Sequence, residues 1–150
     1  MARAKRDAEE AVAVEGAAAV LPDAAAWRQL MTATEASCAE HNVGAAIVSI
    51  GLRPRPTERR RALSALHPLL RPTDAIGFLA DDEVSLLLAP VEDIVDTRKF
   101  VHAIDQALKE AGLTVAVGWA MRRKGHDLFE AAARADAALS SARARAIDLD

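Results

Sequence analysis

Arg71, Asp74, Asp81, Asp82 and Glu83 bring a guanidinium and four carboxylates into one short stretch, RPTDAIGFLADDE. Asp81-Asp82 separates two apolar runs, Ala75–Ala80 and Val84–Ala89. That pattern predicts a tight β-hairpin, because Asp tolerates turn geometry. Two carboxylates then sit at the hairpin tip. Asp82 and Glu83 offer hard oxygens that could hold one divalent cation weakly, or they simply keep a turn soluble. Ahead of the hairpin, Arg71 and Asp74 bracket Pro72-Thr73. Read locally, Pro72 and Thr73 turn the chain into a strand, Arg71 is solvated, and Asp74 bonds nearby backbone as turn residues do.

Other candidate groups point to less. Arg53, Arg55, Arg59, Arg60 and Arg61 form the densest positive run. It could meet phosphates or nucleic acid, but no aromatic residue is interleaved to stack on bases. A solvated loop and helix face, or a surface for a protein partner, fits better. His41, His67, His102 and His126 have no metal-ligand spacing, and the single cysteine, Cys38, adds no partner. No metal site is expected. Ser140-Ser141 lies in no nucleophile-elbow or Ser-His-Asp pattern.

The elements that position these groups follow from composition and periodicity. A chain of 150 residues makes one domain. Its apolar fraction of 51% supports a core, and only 3% aromatics means a core of Ala, Val, Leu and Ile. The net charge of -3 gives no global drive toward nucleic acid or membrane. No apolar run approaches the roughly 20 residues of a membrane span. One cysteine makes no internal disulfide, which suits a reducing, cytoplasmic setting. The opening MARAKRDAEEAVAVEG is too acidic, at Asp7, Glu9, Glu10 and Glu15, for a secretory signal. Residues 1–19 read as a helical or disordered lead-in, with Arg6 and Glu10 one turn apart, and residues 20–150 as the folded domain.

Within that domain, Leu21-Pro22-Asp23 marks a break and an N-cap before a helix from Ala24 to about His41. Trp27, Leu30, Met31 and Cys38 share its buried face, and Thr34 joins them with its hydroxyl bonded one turn back. Asn42 ends the helix. Val43–Leu52 is a β-branched apolar run, hence a buried strand. A short helix opens at Thr57, with Ala62, Leu63, Leu66, Leu69 and Leu70 apolar. After the hairpin, a helix from about Asp93 to Ala111 places Ile94, Val101, Ile104 and Leu108 on one face, and Gly112 stops it. Leu113–Met121 reads as a strand. Asp127 caps a last helix with Leu128, Ala132, Ala135, Leu139 and Ala142 inward. From Val43 to Met121 the order is β-α-β-β-α-β. The fold class is α+β: a ferredoxin-like palm, its antiparallel sheet covered by two helices on one face, with helices flanking at both ends.

The chain resembles the GGDEF domains, the bacterial diguanylate cyclases, over Val20–Ala146. Those domains carry an Arg-x-x-Asp inhibitory site, five residues, then the signature G-G-D/E-E-F. Here Arg71 and Asp74 match the first element, and Ala80-Asp81-Asp82-Glu83-Val84 occupies the signature. VLPDAAAWRQLM is similar to the family's opening L-T-G-L-x-N-R, LTVAVGWA to T-V-S-I-G-V-A, and RADAALSSARARA to A-D-x-A-L-Y-x-A-K, with Ser140-Ser141 where the Tyr falls. The resemblance implies the same palm, the fold of nucleotide cyclases, and a degenerate signature. Two-metal chemistry on GTP needs hard ligands from two places. The family's first-strand metal Asp is Ser49 here, and its signature glycines are Ala80 and Asp81, where a methyl and a carboxylate oppose a triphosphate. The family's guanine-reading Asn and Asp have no counterpart in the shortened GLRPRPTERRR loop. No cyclase activity, no catalytic residue and no cofactor are therefore expected.

The retained pair implies binding of the product, c-di-GMP. By the resemblance, Arg71 forks onto a phosphate or guanine edge, and Asp74 accepts from guanine N1–H and N2–H. A second Arg often comes from the following helix, and Arg98 is the nearest candidate. Two readings follow: a catalytically inactive c-di-GMP receptor, or a nucleotide-free interaction or dimerisation module whose contacts run through residues 53–61 or the Ala-rich N-terminal helix.

Overall fold

The computed structural model describes residues 23–149. The lead-in expected over residues 1–19, with its Arg6–Glu10 pair, lies outside the described residues.

Each element starts and stops where its residues dictate. Helix α1 (Ala24–His41) opens on Asp23, whose carboxylate accepts from Ala26 N at 2.8 Å. It closes on Asn42 at φ 54, the left-handed cap conformation. Thr34 Oγ1 donates to Leu30 O at 2.8 Å, the back-bond expected of it. Strand β1 (Gly44–Gly51) follows. Helix α2 (Pro56–Leu66) begins on a proline, whose fixed φ suits the first turn, and runs into a 3-10 turn, His67–Leu69. Strands β2 (Ala75–Ala80) and β3 (Glu83–Val91) are joined by Asp81-Asp82, the expected hairpin. Helix α3 (Ile94–Glu110) is capped by Asp93, which accepts from Asp96 N at 2.8 Å, and it stops at Gly112, φ 81. Strand β4 (Ala116–Met121) precedes helix α4 (Leu128–Leu149), and Asp127 accepts from Glu130 N at 2.9 Å.

The sheet order is β2-β3-β1-β4, antiparallel at every step, which is the ferredoxin-like order. The palm is the one expected, and the packing places all four helices. Helices α2 and α3 cover one face, where Ala62, Leu66, Val101, Ile104 and Leu108 meet Ala46, Val48, Ile50, Val84, Leu86 and Leu88. Helices α1 and α4 do not merely flank the sheet; they cover its other face. There Trp27, Met31, Cys38, Leu128, Ala131 and Ala135 meet Ala45, Ile47, Leu87 and Ala120. The reason lies in β1, which is apolar at consecutive positions. Successive side chains point to opposite faces, so both faces need a cover.

Two boundaries also move. Strand β4 starts at Ala116, and Leu113 is buried ahead of it in the turn. Ile94 is 52% exposed, and Thr97 takes the inward position of the first turn, its Oγ1 donating to Asp93 O at 2.8 Å.

Small residues let α4 lie close on the sheet. A Cβ added at Gly118 would come within 2.5 Å of Ala135 O and would also strike Leu139 N, so only glycine fits under the helix. The approach is fixed by an ion pair. Glu35 on α1 accepts from Arg122 Nε and Nη2 at 2.6 and 2.7 Å, and its Oε1 also accepts from Leu128 N at 2.8 Å. One carboxylate thus ties α1 to the end of β4 and to an unpaired amide at the start of α4. The Arg122 hydrogen bonds hold the Glu35 carboxyl below its usual range.

Replacing Glu35 by Gln should destabilise the fold by about 1.5–3 kcal/mol, the cost of losing charged hydrogen bonds. Because the Glu35 pKa is depressed, its stabilisation is present above the ordinary carboxyl pKa and fades as pH falls through the lowered value. Urea melts of both proteins at neutral and acidic pH should therefore converge on acidification.

Candidate functional site

The turn ahead of the hairpin is built around Asp74. Its side chain has no exposed surface, while that of Arg71 is 46% exposed. Asp74 Oδ2 accepts from Arg71 N at 2.8 Å and from Arg71 Nε at 3.1 Å. Oδ1 accepts from Arg71 Nη2 at 2.9 Å and from Ala89 N, across on β3, at 3.2 Å. Asp74 therefore bonds local backbone and also forks onto the Arg71 guanidinium. Its bonds are all internal, so it presents no free edge to a ligand; it acts by fixing Arg71. The hydrogen bond to Asp74 holds the guanidinium above even its usual range, so it stays charged.

Arg71 is fixed at the edge of a pocket of about 260 Å³. Leu88, Pro90 and Val91 come from the end of β3, Glu92 from the loop, and Asp96, Thr97 and Phe100 from the start of α3. A held cation, an aromatic edge and two carboxylates converge on this space. That donor and acceptor set can recognise a planar group bearing a phosphate. Arg98 is not brought there. It lines a separate groove with His102, Asp105, Val117 and Trp119. The physical reason is helical phase: Asp96, Thr97 and Phe100 face the Arg71 pocket, and Arg98 is turned well away from all three.

The hairpin tip makes a second cluster. Asp81 lies 3.5 Å from Arg59 of α2, whose guanidinium also sits 5.8 Å from the Phe78 ring centre. Asp82 meets Arg143 of α4: Arg143 Nη2 donates to Asp82 O at 2.7 Å, with the Asp82 carboxylate 3.6 Å away. Asp82 O also accepts from Leu52 N at 2.8 Å. Arginines from helices on opposite faces of the sheet thus hold the two tip residues.

Arg143 lies flat on β1, since a Cβ at Gly51 would be 2.5 Å from its Nε. Glu83 pairs across the strands with Ala80 and Gly51, Ala80 is exposed, and Val84 is in the core. Ser49 is completely buried and donates its hydroxyl to Asp136 of α4 at 2.8 Å. Burial first, then the neighbouring Asp136 and Asp82 charges, push the Glu83 carboxyl upward, with Arg143 opposing.

Asp136 and Arg143 escaped the reading of the sequence. Seven residues apart in RADAALSSAR, they share a helix face two turns apart, which was the available signal. Phe100 and Pro90 carried no such signal. Cys38 is core, and burial pushes its thiol upward, away from reactivity. Among the described residues no group of three or more His, Cys, Asp or Glu is placed to hold a metal ion, and no helix is long and apolar enough to cross a membrane.

Compared by sequence, the chain matches no family model and none of the curated proteins. Compared by structure, it is similar to the GGDEF domain of YfiN (TpbB) from Pseudomonas aeruginosa, with TM-score 0.70 at 20% identity over 83% of this chain and 86% of that one. It is also similar to the GGDEF domain of DgcB from Caulobacter crescentus, solved in complex with c-di-GMP. That match has TM-score 0.71 at 16% identity, over 82% of this chain and 85% of that one. A diguanylate cyclase from Thermotoga maritima matches with TM-score 0.65 at 17% identity, over 79% and 95%. At these identities the likeness establishes the fold.

Replacing Glu83 by Gln should stabilise the protein by about 0.5 kcal/mol at neutral pH, a small figure because the half-buried site is still partly screened by water. With its folded pKa raised, Glu83 contributes stability below the ordinary carboxyl pKa that is lost as pH rises through the raised value. Thermal melts taken from acidic to neutral pH should show the wild type losing ground to the variant on the way up. A parallel pair of curves would refute the upward shift of Glu83.

Proposed function

We propose that this chain, which has the fold of the GGDEF domains, is a receptor for c-di-GMP that does not synthesise it. The observation that carries the reading is the Arg71 guanidinium, fixed by a fully buried carboxylate at the edge of an otherwise formed pocket. Preorganisation of this kind lowers the entropic cost of binding. Arg71 engages a phosphate or a guanine edge with its outer N–H groups. Asp74 contributes through Arg71. The acceptor for guanine N1–H and N2–H is then Asp96 or Glu92, with Phe100 supplying apolar contact to the base. At about 260 Å³ the pocket takes one guanine and its phosphate and leaves the other half of the dinucleotide outside. Such a receptor would work in the cytoplasm and pass the signal to a protein partner.

The loss of synthesis rests on the hairpin cluster. The position that resembles the family's metal-binding Asp is Ser49, an uncharged hydroxyl already committed to Asp136. Arg143 occupies the surface of Gly51 beside the hairpin. The signature glycines are Ala80 and Asp81, whose side chains stand where a nucleotide's phosphates would approach. Each change removes binding or transition-state stabilisation, and together they leave no two-metal site for GTP.

Calorimetric titration with c-di-GMP should give micromolar or tighter binding, and Arg71→Ala should remove it. Asp74→Asn should weaken binding by about tenfold while leaving the fold intact by circular dichroism. Incubation with GTP and Mg²⁺ should yield no c-di-GMP. An Arg71→Ala protein that binds as tightly as the parent would end the assignment of this pocket.

A further inference from the structure

The function proposed above leaves the arginine run of α2 unused, and the fold does not explain it. Five of the chain's 19 basic residues fall between positions 53 and 61, in a protein of net charge -3. Among the described residues, Arg59 alone of the five has an ion-pair partner, Asp81. Arg55 stands at the N-cap of α2, makes no side-chain capping bond, and places positive charge at the positive end of the helix dipole. Local stability would favour Asp or Ser there.

Next to these charges lies a concavity of about 330 Å³, lined by Pro56, Arg59, Arg60, Leu63 and Phe78. Its apolar floor comes from α2 and from β2, an edge strand of the sheet. The Phe78 ring is already covered by the Arg59 guanidinium, so it is not free to stack on a base. The groove therefore combines fixed and free positive charge with an apolar slot, and it lacks the stacking platform that nucleic acid would use.

We propose that this groove docks an acidic segment of a partner protein, with Asp and Glu side chains on Arg55, Arg59 and Arg60 and one large apolar residue in the slot beside Pro56 and Leu63. Charge complementarity supplies approach and orientation, and the apolar anchor supplies the lasting contact. The site is separate from the Arg71 pocket, and none of the residues lining one lines the other.

The test uses the whole chain and fluorescence anisotropy with three labelled probes. These are a short Asp/Glu-rich peptide with one Leu-Phe pair, the same peptide with that pair changed to Ser, and a single-stranded DNA of equal charge. The first peptide should bind with a Kd of about 100 µM or tighter. Raising salt to about 0.5 M should weaken it strongly. The double variant Arg55→Glu/Arg60→Glu, both at exposed positions, should weaken it by about tenfold or more, and the Ser peptide should bind several-fold less well. Arg71→Ala should leave peptide binding unchanged, which separates failure here from failure of the nucleotide reading. DNA binding as tight as the peptide would overturn the proposal in favour of a phosphate-binding surface. Equal binding of the two peptides, equal binding by the double variant, or no binding of the first peptide would overturn it outright.

Discussion

Asp74 has no exposed side-chain surface, and the turn before β2 and the edge of the adjoining pocket depend on that one buried carboxylate. An ionised carboxylate is taken out of water only if its oxygens are fully bonded and its charge is matched. Arg71 supplies the matching charge and three donors, and Ala89 N supplies the fourth. The constraint runs in both directions. The turn before β2 cannot open without stranding the charge, and the guanidinium cannot leave the pocket edge without doing the same. A residue that looks like a ligand-binding group in the sequence is in the structure the reason that its neighbour is held in place.

The hairpin tip follows a different logic. Its two aspartates are exposed or half-exposed, and each is met by an arginine from a helix on the opposite side of the sheet from the other, Arg59 from α2 and Arg143 from α4. Ion pairs at such positions are individually weak. Their effect is geometric: the tip is held between the two helix layers, and Arg143 fills the surface of Gly51. Behind it, Ser49 and Asp136 satisfy each other, while Glu83 is left in an unfavourable field of burial and like charge. A chain built only for stability would not place a carboxyl there. The positive charge of Arg55 at the N-cap of α2 is a similar departure, since it opposes the helix dipole, with Glu58 in the first turn as the acidic residue that offsets it.

The elements and their order can be read along the chain. Asp23, Asn42, Asp93, Gly112 and Asp127 each start or stop a helix, and each acts through bonds or dihedrals within a few residues of itself. The hairpin at Asp81-Asp82 is legible for the same reason, and so is the burial of Cys38 and the back-bond of Thr34, which follow from helical phase. The antiparallel palm then follows from a β-α-β-β-α-β order and its connections.

Which side of the sheet each helix covers, and which charges meet, is set by packing. Helices α1 and α4 pack on the second face because β1 is apolar on both, and that pairing closes through Glu35 and Arg122, far apart in the chain. Ser49 with Asp136, Asp82 with Arg143, and the placement of Arg98 away from Arg71 are likewise products of packing. Local preference acts over a few residues and can be read along the chain. The meeting of distant side chains depends on the rotation and close approach of whole helices, such as α4 over Gly118, and no short pattern in the sequence encodes it.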